Sequence, residues 1–60
     1  MPDPDDMVLA ALQEAAWPRT VATVAASTGL RQRLVTKTLE RLADEGRAVR
    51  VRRGVYAAHR

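Results

Sequence analysis

Arg33, Thr36, Lys37 and Glu40 fall on one side of any helix built over this stretch, with Arg41 on its flank. The reason is the advance of about 100° per residue, which brings positions three and four apart together. Guanidinium groups can pair with guanine edges, and threonine and lysine reach bases or phosphate oxygens. Arg31 and Gln32 stand at the start of the same stretch and complete its candidate set. A second cluster, Arg50, Arg52 and Arg53, surrounds Gly54. Grouped at a turn, these arginines suit phosphate or minor-groove contact. Both clusters describe the binding of a polyanion and leave no obvious place for a reaction. Cysteine is absent, and the chain has one histidine, His59, and one serine, Ser27. That inventory offers no nucleophile–base pair and no metal cluster. No enzyme activity, cofactor, metal or small-molecule ligand is expected.

The charge follows the same division. Residues 1–30 hold one Arg and four acids, net −3, whereas residues 31–60 hold nine Lys/Arg and three acids, net +6. A basic half points to nucleic acid. The plainer alternatives are an ordinary solvated helix face around Arg33 and Lys37, with Lys37 and Arg41 paired to nearby acids, and charge that protects a hairpin edge from aggregation. Glu40 repels phosphate; it can instead accept from a cytosine or neutralise Lys37.

These residues need elements to position them. Asp3 suits a helix N-cap and Pro4 the first helical position, while Asp5 and Asp6 complement the helix dipole. Val8, Leu9, Leu12, Ala15 and Ala16 recur at helical spacing, which predicts helix 1 over about 4–16, ended by Pro18. Arg19 to Val21 can form a short edge strand. Thr20 can cap helix 2, about 21–28, with Val21, Val24, Ala25 and Thr28 inward. Gly29 can end it in the left-handed conformation, and Leu30 turns into the core. Helix 3 covers about 31–45, with Val35, Leu39 and Leu42 on its core side and Leu34 beside them. Gly46 ends it. A hairpin over about 47–58 follows, turning at Arg53-Gly54. Alternation there puts Val49 and Val51 inward and Arg50 and Arg52 outward. Tyr56 is expected in the core and Trp17 over it, Trp17 otherwise being a dimer contact. Ala58, His59 and Arg60 are expected to fray.

The fold class is therefore mainly α with a small β-hairpin, as one domain over residues 1–60. A helix-turn-helix followed by a basic hairpin has the layout of a three-helix winged helix-turn-helix. Gly29-Leu30, Val35, Leu39, Leu42 and Gly46 closely resemble the winged-helix pattern of bacterial MarR-like regulators, over almost the whole chain. Arg31 departs from that pattern, since such families usually have a capping Ser there. The stretch from Val51 to Ala57 resembles the end of the winged helix in abortive-infection type IV antitoxins, without that protein's large second domain. The layout is also similar to the C-terminal winged helix of bacterial DNA-processing proteins.

These resemblances imply double-stranded DNA binding, as a small transcriptional regulator or a DNA-processing accessory factor. The alternatives are a protein–protein interaction module using Leu34, Val8 and Met7, and an RNA-hairpin-binding module. One 60-residue module has a small footprint, so useful specificity needs a homodimer, tandem sites or a protein partner. No apolar run approaches the roughly 18 residues that span a bilayer. The acidic start lacks the basic region of a secretory signal, so no membrane association and a cytoplasmic location are expected.

Overall fold

Each helix begins and ends on the chemistry of its terminal residues. The computed structural model describes residues 3–59. Its elements are α1 (Pro4–Glu14), β1 (Arg19–Thr20), α2 (Val21–Thr28), α3 (Gln32–Asp44), β2 (Ala48–Arg52) and β3 (Val55–Ala58). Asp3 caps α1, its carboxylate accepting from the Asp5 N–H at 2.9 Å. Thr20 caps α2, its hydroxyl oxygen accepting from the Thr23 N–H at 3.2 Å. Arg31 precedes α3 with no side-chain cap.

Gly29 ends α2 at φ 75°, in the left-handed region where a side chain is strained. The end of α3 is closed by two backbone bonds. Gly46 N–H donates to the Ala43 carbonyl at 3.1 Å and Arg47 N–H to the Leu42 carbonyl at 2.8 Å. This is the paired arrangement of a Schellman motif, and it satisfies carbonyls that the helix leaves open.

α1 stops at Glu14, and Ala15 is already extended at ψ 139°, two residues short of the expected end. Pro18 disfavours helix at Trp17, and the chain leaves the helix before reaching it. The turn carries Trp17 away from the core, leaving it 68% exposed. The expectation that Trp17 covers the core is therefore corrected. Trp17→Ala is expected to shift stability by no more than about 0.5 kcal/mol, as read from a thermal melt. A loss of several kcal/mol would contradict this placement.

The core comprises Val8 and Leu12 of α1, Val24 and Ala25 of α2, Val35, Leu39 and Leu42 of α3, and Ala48 and Tyr56 of the hairpin. Leu30 packs against it from the α2–α3 turn. Thr38 is also buried, a position the apolar pattern did not select, and its hydroxyl has no hydrogen-bond partner among the described residues.

The sheet has three antiparallel strands in the order β1-β3-β2. The hairpin is thus extended by Arg19–Thr20, and the Val21 N–H donates to the Gly54 carbonyl at 3.1 Å. Ala58 does not fray: it pairs with Ala48 and packs against the core. The His59 N–H donates to the Arg47 carbonyl at 3.3 Å. Arg60 lies outside the described residues.

Except at Arg52, the hairpin faces are the reverse of those read from alternation. An unbroken ladder from the Arg52–Val55 pair would set Val51 opposite Tyr56, and so put Val51 and Val49 on the core side. Instead the register shifts, pairing Arg52 with Val55 but Arg50 with Tyr56. Val51 is the extra residue of a bulge, and a one-residue shift exchanges the two faces of a strand. Ala48 and Arg50 accordingly share the helix-facing side with Tyr56, and Val49 and Val51 are 42% and 50% exposed.

Candidate nucleic-acid interface

The exposed side of α3 follows from its buried side. With Val35, Thr38, Leu39 and Leu42 inward, Arg33 and Lys37 are left on the surface, one helical turn apart. Arg31 and Gln32 are exposed at the helix start, and Thr36 is half-buried. Among the described residues the ion pairs are Arg41–Asp5 and Arg47–Glu45, the latter at 3.6 Å. Arg31, Arg33, Lys37, Arg50, Arg52 and Arg53 therefore carry charge with no internal counter-ion there.

Arg41 belongs to a different arrangement. Its guanidinium is hydrogen-bonded to the Asp5 carboxylate, which links α3 to the start of α1. It is therefore not a free cation on the flank of the candidate surface. The pair is substantially exposed, and such pairs contribute little to stability.

The hairpin arginines divide as well. Between α3 and the hairpin lies an open cleft of about 420 Å³, lined by Thr36 and Glu40 from α3, Arg50 from β2, and Arg53 and Gly54 from the turn, together with Val21 and Tyr56. Arg50 and Arg53 thus converge with Thr36. Arg52 does not join them, because it pairs with Val55 on the opposite face of the sheet. The expected cluster of three arginines at one tip becomes two in the cleft and one behind it.

No family model, curated protein or solved structure matches the chain. The chemistry of the surface therefore rests on its own residues. Two guanidinium groups and a hydroxyl on converging elements can hold phosphate oxygens, by charge-assisted bonds from the arginines. Glu40 is the charged residue of the cleft that lies outside the candidate DNA-binding set. Its spacing of four from Thr36 is the sequence signal that joins them.

For the alternative protein-contact surface, Val8 is fully buried and cannot take part. Leu34 is 40% exposed and Met7 is half-buried. No described helix is long and apolar enough to cross a membrane.

Proposed function

We propose that the chain is a winged-helix module that binds double-stranded DNA, as a small regulator or a DNA-processing accessory factor. α3 serves as the recognition helix, presenting Arg33 and Lys37 to the major groove. The β2–β3 hairpin serves as the wing, and the adjacent backbone lies along the cleft against Arg50 and Arg53. The supporting observation is the convergence of Arg50, Arg53 and Thr36 on one cleft beside the exposed, unpaired Arg33 and Lys37. Arg31 at the uncapped start of α3 adds positive charge where backbone N–H groups are open to an anion.

The test is a titration against random-sequence duplex at several salt concentrations. Each neutralised phosphate contributes about −0.9 to the log–log slope, so four contacts give a slope of roughly −3 to −4. Folded protein that shows no binding at low salt would overturn the reading.

A further inference from the structure

Two features of the hairpin play no part in the DNA reading. β2 is an outermost strand of the sheet, so one edge of its backbone meets no other strand among the described residues. Its outward face carries Val49 and Val51, both exposed, with Ala57 opposite Val49 and Arg52 at the turn end. We infer that β2 pairs with β2 of a second copy, antiparallel, about a twofold axis beside Val49. The two sheets then join with Val49 and Ala57 of each copy side by side on the outward face.

The register follows from the geometry of the strand. Residues opposed across an antiparallel pair share a face of the sheet. In a twofold pairing one residue must therefore face its own copy. If that residue were Arg50, two like charges would meet directly, which is destabilising. Val51 is the bulge residue and breaks the ladder. Ala48 would leave Val49 opposite Arg47, outside the strand. Val49 against its own copy joins two β-branched apolar side chains and sets Ala48 opposite Arg50 of the partner subunit.

That pairing also complements charge. The partner's Arg50 comes to lie beside Ala48 on the side of the sheet covered by α3. There a crevice between α3 and β2 is lined by Glu40 and Asp44 together with the chain's own Arg50, two carboxylates to one guanidinium. Neither carboxylate has an ion-pair partner among the described residues. Edge arginines ordinarily discourage strand pairing; in this register Arg50 lies opposite Ala48 instead of another arginine. The bulge stops the ladder before Arg52. The opposite edge, β1, is only two residues long, so the assembly closes at two copies.

The inference does not depend on DNA binding, and its test omits nucleic acid so that either can fail alone. The chain has no cysteine, so a single introduced thiol reports on one position. Under mild oxidation Val49→Cys is expected to form a covalent dimer at least ~10-fold faster than Val51→Cys. Exposure alone favours the opposite order, because Val51 is the more exposed of the two. In sedimentation equilibrium the unsubstituted chain is expected to approach twice the monomer mass as concentration rises. Val49→Lys, folded by circular dichroism, is expected to remain a monomer. An unsubstituted chain that stays monomeric at millimolar concentration would overturn the inference. Cross-linking of Val51→Cys as fast as Val49→Cys would do the same.

Discussion

Leu39→Ala is expected to unfold much of the population at ambient temperature. Leu39 is fully buried where α3 faces the core. It packs in a cluster that includes Val8, Leu12 and Tyr56. Truncating a buried leucine costs about 2–5 kcal/mol, part of it for the cavity left behind. A domain of this size has only about 3–5 kcal/mol to lose. The chain has no disulfide to limit the unfolded state. Lys37→Ala, two residues earlier and exposed, is expected to change stability by no more than about 0.5 kcal/mol while weakening DNA binding. Thermal melts of the two variants, with a duplex titration of the second, decide the matter. A melted Lys37→Ala beside a folded Leu39→Ala would mean that the facing of α3, and the surface derived from it, are wrong.

The hairpin arginines are expected to separate by face. Replacing Arg50 and Arg53 together with glutamine should weaken binding to all duplex sequences alike. It should also reduce the steepness of the salt dependence by roughly 2 in log–log slope. Glutamine is the substitution of choice because Arg50 lies opposite Tyr56, and the replacement keeps much of the aliphatic stem at that position. Arg52→Gln, behind the sheet, should leave the slope nearly unchanged. Arg33→Ala should alter preference among sequences, by about 1–3 kcal/mol at one base pair. Equal loss of slope from Arg52→Gln and from the Arg50/Arg53 pair would show that phosphate does not lie in the cleft.

The parts of the fold legible in the sequence were those set by local chemistry. Asp3, Thr20, Gly29 and Gly46 mark helix boundaries through caps and positive φ, which neighbouring residues alone determine. Val35, Leu39 and Leu42 reveal the buried side of α3 because helical periodicity survives in any context. The facing of the hairpin was not legible. Strand alternation carries a side only when its register is known, and the bulge at Val51 reverses it. Thr38 escaped because a hydroxyl gives no apolar signal. Arg41 looked like a member of the basic surface because its partner, Asp5, lies 36 residues away in the chain. The convergence of Arg50 and Arg53 with Thr36, and the separation of Arg52, follow from that same unforeseen register.

The bond from the Val21 N–H to the Gly54 carbonyl would govern how the hairpin meets the proposed duplex. A free two-stranded ribbon would sweep through many orientations and lose that freedom on contact. Here the turn is fastened to the first residue of α2, and β1 holds β3 beside it. Arg53 is thus carried on a tip whose backbone is oriented when the chain folds. The ordering entropy of that loop is lost in folding and does not oppose association. What remains to be ordered at encounter is chiefly the rotamers of the arginines.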